Sequence, residues 1–271
     1  MQVRNAVVAG QFYPGHAETL RSDVARYLRD SEVEPAPERV VALVAPHAGY
    51  LYSGATAGCA FARVRGKQPK RVILLGRSHR FYFSGASVYD GDAFETPLGK
   101  APVDVAFARA LAKETRSDTG APHQLEHGLE VEVPFIQVAL GEVPIVPVLF
   151  GSEATDWHVV FGHALAELAD ASDLVIASTD LSHYLPEDEA NAIDQVSLER
   201  VLSKDYRALA QELATEKCSM CGGTAVVSAM VYALERGAED WRLLHYRTSA
   251  AASGDYERVV GYGAISMERA V

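Results

Sequence analysis

The chain has 271 residues, 48% of them hydrophobic and 23% charged, and its 25 basic and 36 acidic side chains give a net charge of −11. That apolar share supports a continuous core, and three cysteines (Cys59, Cys218 and Cys221) cannot build a disulfide framework. An acidic surface with no basic stripe excludes nucleic acid as a partner, and no apolar run approaches the length that crosses a bilayer.

The opening MQVRNAVVAG lacks the cationic and apolar regions of a secretory leader, so free thiols in a reducing cytoplasm are the expectation. A first helix is predicted over 16–29. The charged, proline-containing SEVEPAPERV then leads into the body and is too short for an interdomain linker. RVVALVAP reads as a buried strand, SGATAGCAFARV as a helix rich in small residues, and RVILLG as a second buried strand. SVYDGDAFETPLG carries Asp-Gly and Pro turns and predicts a hairpin or a pair of short strands. Amphipathic helices follow over 102–114 and, despite Pro134, over 126–140. PIVPVLFG is a third apolar strand, DWHVVFGHALAELAD a helix, and DLVIASTD a fourth strand. Two helical stretches run to about residue 213, a helix covers 220–237, and WRLLHYRTSA and RVVGYGAISM close the chain as strands. Strands alternating with helices, without internal repeats, predict one α/β domain over 1–271, a central mixed sheet flanked by helices.

The residues that can do chemistry sit just past the strands. PHAGY with His47 follows VVALVA, RSHR with His79 follows RVILLG, and TDLSHY with Asp180 and His183 follows DLVIAS. In open α/β sheets, ligand sites form outside the carboxyl ends of strands, where successive loops converge. Two imidazoles and one anionic ligand would leave coordination positions open on a metal ion. Three candidates stand for the anionic ligand: Asp180, Glu126, and a thiolate of KCSMCGG. The Cys218-x-x-Cys221 pair also reads as a redox dithiol or as two small core residues at a helix start. Cys59 reads as core packing, and His123, His158, His163 and His245 as surface or packing residues. His127, beside Glu126 and Glu130, reads first as helix-end electrostatics. No nucleotide-binding glycine loop and no GxSxG element occurs in a supporting context.

VAGQFYPG, PHAGYLYSG, LLGRSH, TPLG, EHGLEVEVPF, IVPVLFG, ASTDLSHY, CGG and VVGYGAIS follow one another along residues 4–267. In that order they resemble the Memo family, whose bacterial and archaeal members are also called protein B of the AmmeMemoRadiSam system. The resemblance implies a fold similar to the class III extradiol ring-cleaving dioxygenases, with the ligand set altered to two His and one Cys. Carried onto this chain, the metal ligands are His47, His79 and Cys221. Asp180, His183 and His127 then line the same pocket as acid/base or supporting groups. Arg77, Gly128 and Gly223 stand where proline, serine and arginine are common in the family, which alters the pocket rim but removes no ligand.

The expected cofactor is one metal ion, iron(II) first, with copper or zinc as alternatives because thiolate is soft and oxidisable. The expected function is a dioxygenase-like redox enzyme. The alternatives are a non-catalytic peptide- or metabolite-binding module on a former enzyme scaffold and, third, a zinc hydrolase. Expected partners are a small-molecule or peptide ligand in the metal pocket and proteins of the AmmeMemoRadiSam system.

Overall fold

A computed structural model describes residues 2–151 and 156–270. In chain order the strands and α-helices are β1 (Val3–Arg4), α1 (Ala17–Asp30), β2 (Val40–Ala45), α2 (Tyr50–Arg63) and β3 (Val72–Arg77). Next come β4 (Ala86–Val88), β5 (Ala93–Thr96), β6 (Gly99–Pro102), α3 (Val105–Thr115), β7 (Asp118–Thr119), α4 (Val133–Ala139) and β8 (Ile145–Phe150). The chain finishes with α5 (Asp156–Leu168), β9 (Leu174–Ser178), β10 (His183–Leu185), α6 (Glu187–Leu202), α7 (Tyr206–Ala214), α8 (Gly223–Glu235), β11 (Ala238–Thr248), α9 (Ala250–Ser253) and β12 (Val259–Arg269).

Nine strands form one mixed sheet in the order β10-β12-β2-β9-β3-β8-β4-β7, with β11 paired to β12. Its middle four, β2, β9, β3 and β8, are parallel. Every residue of β2, β9 and β8 is buried, as is β3 up to Gly76. That burial is why these strands read as unbroken apolar runs and not as alternating ones. Antiparallel β12 and β4 extend the sheet on either side. β1, β5 and β6 form a separate small sheet. Helix α8 lies on β2, β9 and β3 and is backed by α5, while α2 packs on β2 and β12 and is backed by α1 and α4.

The predicted mixed α/β sheet is present, and the differences from expectation are local. The hairpin expected over 87–99 is divided. β4 joins the large sheet beside β8, and the hairpin proper is β5–β6, one step later in the chain. The helix expected over 126–140 begins at Val133, after a single 3-10 turn at Glu130–Glu132. Pro134 opens this helix: it has no N–H to leave unsatisfied in a first turn, and its fixed φ suits one.

Chain order reverses at the centre. β2 and β3 are separated by β9, which arrives from β8 on the far side. Crevices form where strand order reverses in this way. Among the described residues no helix is long and apolar enough to cross a membrane.

Candidate metal centre

Three adjacent parallel strands end side by side at this reversal. His47 lies two residues past Ala45 of β2, His79 two past Arg77 of β3, and Asp180 two past Ser178 of β9. Cys221 reaches the same edge from another direction, two residues before α8. Its backbone N–H donates to Asp180 O at 3.1 Å, and the N–H of Gly222 donates to Thr179 Oγ1 at 2.8 Å. Gly222 is required by this approach, because a Cβ there would stand 2.3 Å from Ser178 O. With α8 so docked, Cys221 Sγ lies 3.3 Å from His47 Nε2 and accepts from the Asp180 N–H at 3.2 Å. The ligand atoms of His47, His79 and Cys221 all fall within 4.8 Å of one another.

Both imidazoles are held by the nitrogen that faces away from the cluster. His79 Nδ1 lies 2.8 Å from Glu126 Oε1, and the same carboxylate accepts from the backbone N–H groups of His79 and Gly128 at 2.6 and 2.8 Å. Burial alone would raise the pKa of Glu126, but hydrogen bonds from His79 and these amides overcome it and bring it down to about 2. Glu126 is therefore ionised, and His79 Nδ1 is the donor. The pKa of His79 is pulled down by burial, but hydrogen bonds to Cys221 and Glu126 outweigh that and raise it to about 9.

The tautomer of His47 follows from the protons around Ser178. Ser178 Oγ lies 2.7 Å from Gly128 O, 2.9 Å from Glu132 Oε1 and 2.8 Å from His47 Nδ1. A hydroxyl carries one proton, and a carbonyl can only accept, so that proton goes to Gly128 O. The other two contacts then require protons from His47 Nδ1 and from the Glu132 carboxyl. Glu132 is fully buried, and burial pushes its pKa up to about 8, so it is protonated at neutral pH. His47 is left with the lone pair on Nε2, the atom that faces Cys221.

The remaining candidates surround this cluster. His127 lies near both candidate ligand histidines, with ring centroids 5.7 Å from His47 and 4.6 Å from His79. Burial is the largest cause that holds its pKa down at about 4. It precedes the 3-10 turn and is not the first residue of a helix. His183 opens β10, and burial lowers its pKa as well. Asp180 Oδ1 accepts from the backbone N–H of His47 at 2.8 Å, so it fixes the loop that carries a candidate ligand. Glu126, one of the three candidates for the anionic ligand, orients His79 and also forms a second close group with His79 and His127.

Four contributors were not singled out from sequence: Ser178, Glu130, Glu132 and Arg4. Arg4 is fully buried, ion-paired with Glu130, and donates to Glu126 O and to His123 O. It thereby ties β1 to the segment that supplies Glu126 and His127. Of the histidines set aside from sequence, His123 and His158 are buried packing residues, and His245 bonds Thr56 Oγ1 at 2.9 Å. His163, on α5, lies 3.1 Å from Glu235. Cys59 and Cys218 are buried free thiols, and burial raises both to about 11.

Fold and site together define an α/β protein whose mixed sheet gathers two histidines and a cysteine, with candidate metal-ligand spacing, at the carboxyl ends of adjacent strands. The family model for Memo-like proteins matches residues 4–266, and the chain belongs to that family. A MEMO1 family protein of Methanopyrus kandleri is 34% identical over 98% of this chain and 99% of its own. Others from Archaeoglobus fulgidus (35% identical, 97% of this chain, 98% of its own) and Pyrococcus furiosus (34%, 99% and 100%) match over similar spans. A crystal structure of an uncharacterized protein of Escherichia coli K12 shares the fold at a TM-score of 0.50. It is 16% identical and covers 84% of this chain and 100% of its own.

Proposed function

We propose that this protein holds one metal ion between His47, His79 and Cys221, iron(II) in the first instance, and uses it as a dioxygenase-like redox centre for a small molecule. The observation that carries this reading is the convergence of the donor atoms. Each imidazole is bonded through Nδ1, to Ser178 or Glu126, and its other nitrogen is turned toward Cys221. A carboxylate or hydroxyl on the outer nitrogen is how proteins orient metal-binding histidines and raise their basicity. A cluster of two imidazoles and a thiol, with His47 buried and His79 and Cys221 open to the site, fits a metal better than it fits packing, because each ring otherwise faces a neighbour it competes with for a proton. The proton shared by His79 and Cys221 is the one a metal would displace.

When bound, iron(II) supplies a redox-active Lewis acid with coordination positions left free. The chain supplies the rest. His127 and His183, neutral at pH 7 because burial lowers both, accept a proton from a substrate hydroxyl beside the ligands. Asp180 keeps His47 and Cys221 in register through its carboxylate and its backbone N–H. A thiolate ligand also suits copper(I) or zinc, and zinc on this donor set would support hydrolysis instead.

A second reading, a peptide- or metabolite-binding module, is supported by exposed apolar residues close in sequence to the site histidines. Leu51, Tyr52, Phe81, Tyr82, Leu125 and Tyr184 are all exposed, and each lies within five residues of His47, His79, His127 or His183. Clustered apolar side chains around a cleft mark a ligand or protein contact. Partner proteins of the AmmeMemoRadiSam system are candidates for it, in a cytoplasm that keeps the three cysteines reduced.

Metal titration of His47→Ala and Cys221→Ala tests the ligand set. Both variants lose stoichiometric binding and keep the circular dichroism spectrum of the parent. Full occupancy in both would exclude these ligands.

A further inference from the structure

On the side of Cys221 that faces α7, a cavity of about 230 Å³ opens between β3 and the start of α8. Its wall includes Arg77, Glu216, Ser219, Cys221, Gly223 and Thr224. Two side-chain donors there have no partner among the described residues, and a helix N-terminus beside them has no side-chain cap. The Arg77 guanidinium, half-buried at the end of β3, makes no hydrogen bond or ion pair among the described residues. Thr224 is 5% exposed, and its hydroxyl has no partner among the described residues. α8 is 13 residues long with no side-chain cap, and its N-terminus carries the positive end of the helix dipole. Gly223 leaves that terminus bare and brings it against α7, where a Cβ would stand 2.5 Å from Leu213.

We propose that this cavity binds the carboxylate of a small organic acid, placing the remainder of the molecule at the Cys221 wall that it shares with the metal site. A buried hydroxyl without a partner is costly, and a fork of guanidinium donors beside a helix N-terminus matches two carboxylate oxygens. Charge selects a monoanion. Glu216 stands in the same wall, so one negative charge is offset by Arg77 and the helix, whereas the second charge of a phosphate dianion meets that carboxylate. The overall charge of −11 makes such a cationic spot locally distinctive. Placement of the substrate beside the metal rests on the reading above; carboxylate binding itself does not.

The test is calorimetric titration of the full chain with benzoate and, separately, inorganic phosphate, before and after metal removal by a chelator. Elemental analysis accompanies each preparation. The parent binds benzoate saturably with or without metal and binds phosphate at least tenfold more weakly. Arg77→Leu weakens benzoate at least tenfold, Arg77→Lys recovers part of the loss, and Thr224→Val weakens it severalfold, all with the metal content of the parent. Equal benzoate affinity in Arg77→Leu, or phosphate bound more tightly than benzoate, would overturn the proposal. So would benzoate binding that vanishes with the metal, since the carboxylate would then be a ligand of the ion. A parent that binds benzoate but never holds metal upholds the carboxylate site and defeats only the metal reading.

Discussion

Ser178 accepts hydrogen bonds from His47 and from the protonated Glu132 carboxyl and donates its own to Gly128 O, so a carboxyl outside the candidate ligand set decides which nitrogen of His47 is free. This arrangement has a signature in stability. Glu132 has an unfolded value of 4.5 and a folded value of about 8. Between those pH values the folded chain keeps a proton that the unfolded chain has released, so stability falls as pH rises through that window. For one proton the slope is about 1.4 kcal/mol per pH unit at most. Glu132→Gln mimics the protonated acid and removes this slope. Denaturation at pH 5, 6, 7 and 8 should show the variant gaining steadily on the parent, and parallel curves would show that Glu132 is ionised in the fold. None of this was legible in sequence, because Glu132 and Ser178 are separated by 46 positions and neither stands in a ligand-like pattern. The histidines were legible because each follows an apolar strand. The choice of Cys221 over Glu126 and Asp180 required the family resemblance, since spacing alone leaves all three open.

Among the elements, the parallel strands and the long helices were plain from their periodicity, and the misreadings fall where an element is short or polar. β1, β7 and β10 are two or three residues long and carry no pattern of their own. They exist because β5, β4 and β12 offer free edges for pairing. The region 126–140 has helical spacing throughout, yet its first residues are committed to the site. Glu126 and Glu130 turn inward to His79, Arg4 and Tyr13, and the backbone follows them as a loop and a 3-10 turn. The start of α8 shows the same priority of site over propensity. Two successive glycines there are poor for a helix interior but let it touch β9 and α7. Gly222→Ala forces a methyl group toward Ser178 O, at a cost of about 1–3 kcal/mol by overpacking. The variant should melt lower than the parent and bind metal more weakly, because Cys221 moves with the helix end. An unchanged melting temperature and metal affinity would mean that α8 is not docked as described.

At the scale of the whole molecule, one parallel core sets the geometry and the candidate site lies at one of its edges. The order β2-β9-β3 places three loops side by side, and the N-terminal strand, through Arg4, braces the loop that completes the site. The chain carries a net charge of −11, and exposed tyrosine, phenylalanine and leucine side chains stand close in sequence to the site histidines. The architecture was legible because buried parallel strands announce themselves as apolar runs. The identity of the metal proposed for the site was not, because imidazole and thiolate accept several ions and no sequence states which one a cell supplies. The measurement that tests the central claim most directly is elemental analysis of protein purified without oxygen, beside Cys221→Ser prepared in the same way. The account predicts near-stoichiometric iron in the parent and its loss in the variant. Zinc in the parent, no metal in it, or equal iron in both would contradict a redox centre built on the Cys221 thiolate.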